Sequence, residues 1–296
     1  MEPDPACDGE ELAVITVSRS ADDPVERLRA SAARATGRRF RFLVANSGSP
    51  RATADMLTIG EDIGYPGAVN RAVAGLDARV GWIAVAEPDV VWGEGALDAL
   101  LAAGLRWPRA GALGPRPTDP GGAPLPGRWI ADALLARAWS VGACPDPCGD
   151  EGAVEGPTGL LPGGCLLLRR TAFDSVDGFD ARYPAPLADR DLADRLCRAG
   201  WLTVVVPGAS AVRTGTGPAG CAMPLDEQHR LARRYLSERH RGLRRAPLRA
   251  VFATLLAARA AALRRTSTCE SESEGTCWTT SKRWCSSGER APGCGR

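Results

Sequence analysis

Lysine is almost missing from this chain of 296 residues: Lys282 is the sole one, and apart from His229 and His240 every other basic residue is arginine. That one-sidedness records coding composition rather than a binding function. With 37 Lys and Arg against 35 Asp and Glu the formal charge is +2, which excludes a whole-molecule affinity for polyanions. No stretch reaches the roughly 18 uninterrupted apolar residues of a membrane-spanning helix. The N-terminal MEPDPACDGEE is acidic and has no apolar run, so no signal peptide is expected and the cytoplasm is the expected compartment. Ten cysteines are present, but their spacing suits neither a zinc site nor a disulfide framework. Cys144 and Cys148 are near neighbours, Cys269, Cys277, Cys285 and Cys294 are widely spread, and Cys165 and Cys197 sit in apolar contexts typical of buried small hydrophobes.

What is present is an alternation of strand and helix patterns. Residues 12–17 (LAVITV) read as a buried first strand, followed by a helix over 23–36 with Asp22 or Asp23 as cap and Pro24 in its first turn. A second strand over 40–45 ends in the polar turn Asn46-Ser47-Gly48-Ser49, and 56–59 forms a short third. After Asp62-Ile63-Gly64-Tyr65-Pro66-Gly67 a helix is expected over 68–76, then a fourth strand at Trp82, a helix over 94–105 and a fifth strand over 110–113. Two Pro/Gly-containing loops, 115–126 and 144–159, are of the kind that carry specificity. A strand entered through Gly163-Gly164, a short helix over 171–176, a helix from Asp189-Arg190-Asp191 to Ala199 and a last strand over 202–206 complete the pattern. It predicts an α/β fold with a largely parallel central sheet.

Within it, residues 81–92 (GWIAVAEPDVVW) bring an apolar run to an abrupt acidic stop at Glu87-Pro88-Asp89. Pro88 cannot donate to a ladder, so the acidic pair is expected where the strand leaves its sheet, the edge at which open α/β sheets bind ligands. Two carboxylates there could hold a divalent cation against a phosphate, or simply form a solvated turn.

The C-terminal part changes character. Residues 228–265 hold eleven arginines against one acid, Glu238, on a helical pattern broken at Pro247, with Val251, Phe252, Leu255, Leu256 and Leu263 as an apolar stripe. Tyr235 and Phe252 are too few among eleven arginines to form interleaved base-stacking platforms, so nucleic acid is not an expected partner. Beyond 265 the composition turns to Ser, Thr, Gly and Cys, and no folded structure is expected.

Taken in order, the motifs resemble the family 2 inverting glycosyltransferases of GT-A fold, and among them the actinobacterial cell-wall linker rhamnosyltransferases acting on a polyprenyl-diphosphate-GlcNAc acceptor. The residues that carry the resemblance are Gly64-Tyr65 with Ala68-Val69-Asn70-Arg71, Pro88-Asp89-Val90 with Trp92-Gly93, and the run from Arg106 to Pro115 (RWPRAGALGP). They continue with Gly164-Cys165-Leu166-Leu167, Gly178-Phe179-Asp180, Asp191-Leu192 with Asp194-Arg195-Leu196, and Ala199-Gly200-Trp201. The resemblance implies a disordered N-terminus over 1–11, a GT-A domain over 12–225, an arginine-rich helical segment over 226–265 and a low-complexity tail over 266–296.

It also implies roles. Val17, Ser18 and Asn46 would face the base of a nucleotide-sugar, expected to be dTDP-rhamnose, while Asp62, Gly64 and Asn70 line its pocket. Asp89, helped by Glu87, would bind Mg²⁺ or Mn²⁺ bridging the diphosphate. Asp189 matches the general base, though it and Asp191 equally suit a helix N-cap. The implied partners are a lipid-linked glycan acceptor and the inner face of the cytoplasmic membrane, reached through the arginine-rich segment. The chain departs from the family pattern at Asn46 (commonly Asp), Glu87 (commonly Asn or Asp), Ala188 (commonly Glu) and Arg213-Thr214, where a metal-ligating histidine is usual. Arg213 cannot ligate a metal, but its cation can meet a diphosphate. These departures leave a second reading open, a relative that binds nucleotide-sugar or a partner without turnover.

Overall fold

The computed structural model describes residues 11–20, 22–47, 56–59, 62–125, 154–159, 161, 164–183, 185–215, 234, 235 and 238. Two compact units divide the chain, residues 1–222 and 223–296. In the second, the described residues include an exposed i,i+4 ion pair, Arg234 Nε to Glu238 Oε1 at 3.0 Å. The expected disordered N-terminus, most of the arginine-rich segment and the tail lie outside the described residues.

The first unit is built on an eight-stranded sheet in the order β3-β2-β1-β4-β8-β6-β9-β7. Its strands are β1 (Glu11–Ser18), β2 (Phe40–Ser47), β3 (Met56–Ile59), β4 (Val80–Ala86), β6 (Ala110–Gly114), β7 (Gly156–Pro157), β8 (Cys165–Arg169) and β9 (Leu202–Val205). β3, β2, β1 and β4 run parallel, β6 and β9 share their direction, and β8 and β7 run against it. The near-continuous apolar runs of β1 and β4 follow from this placement: both are covered on two faces, and residues 12–18 and 82–86 are buried throughout.

The helices are α1 (Val25–Ala35), α2 (Gly64–Ala74), α3 (Ala96–Arg106), α4 (Arg170–Ser175) and α5 (Ala185–Arg198). α1 buries Leu28, Ala32 and Ala35, and the Ser31 hydroxyl accepts the Trp92 N–H at 3.2 Å. α2 starts four residues before the expected Ala68 because Pro66, which has no N–H to lose, sits comfortably in a first helical turn. Neither Asp22 nor Asp23 caps α1. Asp23 turns back instead, its Oδ2 accepting from the Ser18 hydroxyl and the Arg19 and Ser20 N–H groups at 2.8–3.0 Å, which shapes the loop leaving β1.

α3 meets the sheet closely. A Cβ at Gly104 would lie 2.4 Å from the Trp82 ring. The Arg169 guanidinium lies over the other part of that contact, 4.3 Å from the indole, and donates to the Gly104 and Ala110 carbonyls at 2.8 and 3.0 Å.

The stretch at 81–92 splits. β4 ends at Ala86, Glu87-Pro88-Asp89 turns, and β5 (Val90–Trp92) pairs antiparallel with β10 (Ala211–Arg213), a strand beyond the one expected to be last. Thr118, in the 115–126 loop, exchanges backbone bonds with the other edge of β10: its N–H donates to Ala211 and its carbonyl accepts from Arg213, at 3.0 and 2.9 Å.

Candidate active site

Strand order reverses between β1, whose neighbours β2 and β3 lie to one side, and β4 on the other. At such a switch point a crevice opens beyond the carboxyl ends of the strands. Ser18 ends β1 and Glu87-Pro88-Asp89 follows β4, so both flank this crevice. β8 enters from the same edge, because its first residue, Cys165, lies opposite Ala86.

The acidic turn is held through its backbone. Glu87 N–H donates to the Gly164 carbonyl at 2.8 Å, and the Asp89 carbonyl accepts from the Thr214 N–H and hydroxyl at 3.0 and 3.2 Å. The β5–β10 register sets Arg213 opposite Val90, and its Nη2 reaches both carboxylates. It donates to Asp89 Oδ1 and Oδ2 at 3.1 and 3.2 Å and forms an ion pair with Glu87 Oε2. Burial works against this cation, but Glu87 and Asp89 more than offset it and hold its pKa above the ordinary arginine value.

Gly164 makes the arrangement possible. Its φ is +95°, a conformation that favours glycine, and a Cβ there would stand 3.0 Å from Arg213 Nη1 and 3.3 Å from the Glu87 carboxyl.

Asp189 lies in the first half of α5, and its charge acts on two groups that also feel Glu87 and Arg213. The Tyr65 hydroxyl is pushed well above its ordinary range by burial first, then by the charges of Asp189 and Glu87, with Arg213 opposing. The Cys165 thiol is pushed up to about 12, chiefly by burial, and it feels Arg213, Glu87, Asp189 and Asp89. Asp189 also lines a small cavity with room for about one water beside Ala112, Leu166, Leu192 and Thr203.

Asp191 has another role. Its Oδ2 accepts from Arg195 Nε at 2.6 Å, and Arg195 Nη1 donates to the Gly178 carbonyl at 2.6 Å. This chain of contacts ties α5 to the turn at 178–180. Burial raises the Asp191 pKa, with the Arg195 charge opposing it.

The other expected residues are held by contacts of their own. Val17 is buried in the sheet, and the Ser18 hydroxyl is bonded to Asp23 Oδ2 at 3.0 Å. Asn46 pairs through its backbone with Ser18 and Thr58, and its side chain lies outside the described residues. Asp62 Oδ1 accepts the Gly64 N–H at 3.0 Å, shaping the start of α2. Asn70 clasps Phe179: its Nδ2 donates to the Phe179 carbonyl at 2.7 Å and its Oδ1 accepts the Phe179 N–H at 2.9 Å. The amide expected to line the nucleotide pocket thus fastens α2 to the 178–180 turn. Sequence reasoning assigned no role to Tyr65, Gly164 or Arg195. Only their places within the quoted motifs hinted at one.

A divalent cation on Asp89 and Glu87 would need those carboxylates as ligands. In this arrangement Arg213 Nη2 already lies against both, and among the described residues no three His, Cys, Asp or Glu side chains group closely enough to hold a metal. The donor set is compensated by a cation of the chain's own. As the two carboxylates stand, Arg213 occupies the place that an added divalent ion would take.

Comparison with known proteins now adds to this geometry. No protein-family model matches the chain. It is 39% identical over 290 residues to the N-acetylglucosaminyl-diphospho-decaprenol L-rhamnosyltransferases of Mycobacterium tuberculosis strains CDC 1551 and H37Rv, covering 86% of this chain and 94% of each relative. Among solved structures, GalNAc-T7 with UDP, GalNAc and Mn²⁺ is similar at TM-score 0.53 and 10% identity, over 75% of this chain and 48% of that one. S. aureus TarS, residues 1–349, is similar at TM-score 0.52 and 13% identity, over 77% of this chain and 65% of that one. The distant pair share the fold, a GT-A glycosyltransferase fold, as the resemblance implied. The chain belongs to the glycosyltransferase family of the N-acetylglucosaminyl-diphospho-decaprenol L-rhamnosyltransferases.

Proposed function

We propose that the protein transfers rhamnose from dTDP-rhamnose to the GlcNAc of a polyprenyl-diphosphate-linked acceptor, with Asp189 as general base and inversion at the anomeric carbon. The acceptor hydroxyl oxygen bonds to the sugar's anomeric carbon and its proton passes to Asp189. The bond from that carbon to the diphosphate oxygen breaks, and the electron pair leaves with dTDP. A positioned base of this kind contributes about 10²–10⁴-fold in rate. The nucleotide occupies the crevice beyond β1 and β4, and the acceptor is met at the inner face of the cytoplasmic membrane through the arginine-rich segment.

The observation that carries this reading is the ion group of Glu87, Asp89 and Arg213 at the carboxyl edge of the sheet. It is supported by Asp189, whose charge acts on the same buried Tyr65 hydroxyl and Cys165 thiol as theirs. Asp191 is paired with Arg195, which supports Asp189 rather than Asp191 as the base.

The test incubates the purified chain with dTDP-rhamnose and a GlcNAc-diphospho-polyprenol acceptor and follows dTDP release and lipid-linked product. Release that requires acceptor and vanishes in Asp189→Asn supports the reading. Release unchanged by that substitution removes Asp189 as the base, and donor binding without product supports a non-catalytic relative.

A further inference from the structure

We infer that Arg213 is the resident cation of this site: its guanidinium meets the leaving diphosphate in place of a divalent metal ion. The inference rests on the glycosyltransferase reading above and goes beyond it, because it makes donor binding independent of added metal.

Three observations support it. First, Arg213 is where a bridging cation would be needed, its Nη2 against both Asp89 oxygens and the Glu87 carboxylate, with the side chain only 8% exposed. Second, among the described residues its hydrogen bonds all leave from Nη2. A guanidinium carries five N–H donors in a fixed fork, so those on Nε and Nη1 remain for phosphate oxygens, to which arginine binds in bidentate fashion. Third, the wall beside Nη1 has been cleared. Gly164 stands there in a left-handed conformation, and any larger residue would press on Nη1 and on the Glu87 carboxyl together.

The charges decide how a donor enters. Glu87 and Asp89 set two negative charges beside the one positive charge of Arg213, so the carboxylates oppose an incoming diphosphate. Asp89 is the fixed arm, 3% exposed and fastened through its carbonyl to Thr214. Glu87 has the longer side chain and is 17% exposed, so it is the arm a phosphate displaces from Arg213. When the bond to the anomeric carbon breaks, the electron pair remains on the diphosphate, and the new charge faces a guanidinium already in position. Such preorganised donors need no rearrangement as the charge develops.

The experiment measures dTDP binding to the full chain by titration calorimetry, once in excess EDTA and once in Mg²⁺ or Mn²⁺. The expected result is a Kd that agrees within about twofold between the two buffers. Arg213→Ala should weaken binding at least about tenfold in both. Glu87→Gln should tighten it, since it removes one negative charge that opposes the diphosphate yet keeps a carbonyl for Arg213. A metal held by Asp89 and Glu87 predicts the opposite signs: EDTA abolishes binding and Glu87→Gln weakens it. Either result overturns the inference while leaving the glycosyltransferase reading intact. Failure of dTDP to bind in both buffers overturns the inference together with the proposed donor. The comparison of buffers needs no substitution, so a poorly folding Arg213→Ala protein does not weaken the test.

Discussion

Two aspartates separated by one residue illustrate how much a single position decides. Asp189 and Asp191 lie two apart on α5, and at about 100° per residue their side chains leave the helix on opposite sides. The resemblance matched Asp189 to a general base, yet by local pattern alone both residues suit a helix N-cap. In the structure Asp191 is held by Arg195, whereas the Asp189 charge acts on the buried Tyr65 hydroxyl, in keeping with the proposed role of Asp189 as base. Asp189→Asn is expected to lower turnover by about 10²–10⁴-fold with an unchanged melting temperature. Asp191→Asn should retain most activity but lose about 1–3 kcal/mol of stability, because Arg195 keeps its charge in a half-buried place. Equal losses of turnover in the two variants would remove the distinction. Cys165 offers a pH test at the same scale. Its pKa is raised from the ordinary 9.0 to about 12, so the fold favours the thiol; that contribution is complete below pH 9 and is lost as the pH rises through 12. At pH 9 only about one thiol in a thousand is ionised, and iodoacetamide should leave Cys165 unmodified in the native protein yet label it after denaturation, read by peptide mass mapping. Native labelling at the rate of an exposed thiol would contradict the burial.

Among elements, the pieces with a clear period were legible and the pieces made by pairing were not. β1, β4 and α3 follow from apolar runs and from spacing, and their bounds fall within a residue or two of expectation. β10 spans three residues, Ala211–Arg213, too few to show any alternation, and it is a strand only because β5 offers an edge. That pairing is what carries Arg213 to Asp89, so the charge at the centre of the site was invisible from local pattern alone. The same holds for Asp23, which a capping rule assigns to α1 and the β1 loop claims instead. Where β8 enters, Gly164 joins these elements, and the effect of filling its space can be stated. Gly164→Ala imposes a left-handed backbone on a residue with a side chain and sets a methyl 3.0 Å from Nη1. It should cost about 1–3 kcal/mol in denaturant unfolding and should weaken dTDP binding as the ion group is pushed apart. If stability falls and nucleotide affinity does not, Gly164 serves the sheet edge and not the site.

At the scale of the whole molecule, fold and chemistry come apart. GalNAc-T7 and TarS keep the architecture at 10% and 13% identity, so the arrangement of layers resides in the apolar pattern rather than in particular residues. The relatives at 39% identity are named for a decaprenol-linked acceptor, and the proposed function raises the question of how a protein of formal charge +2 would meet a membrane. No helix among the described residues is long and apolar enough to cross one. The charge is unevenly distributed, however: residues 228–265 carry eleven arginines and a single acid. Beside an anionic leaflet each basic residue contributes up to about 1 kcal/mol, so engagement of four or five would suffice for binding, and the attraction falls off within a Debye length. Vesicles rich in anionic lipid should therefore float with the full chain at low salt and release it at about 0.5 M salt, whereas neutral vesicles should not retain it. Deleting 226–296 should abolish flotation while leaving dTDP binding to the first unit intact. If the shortened chain floats as well as the full one, the membrane contact belongs to the glycosyltransferase domain itself and the arginine-rich segment serves another purpose.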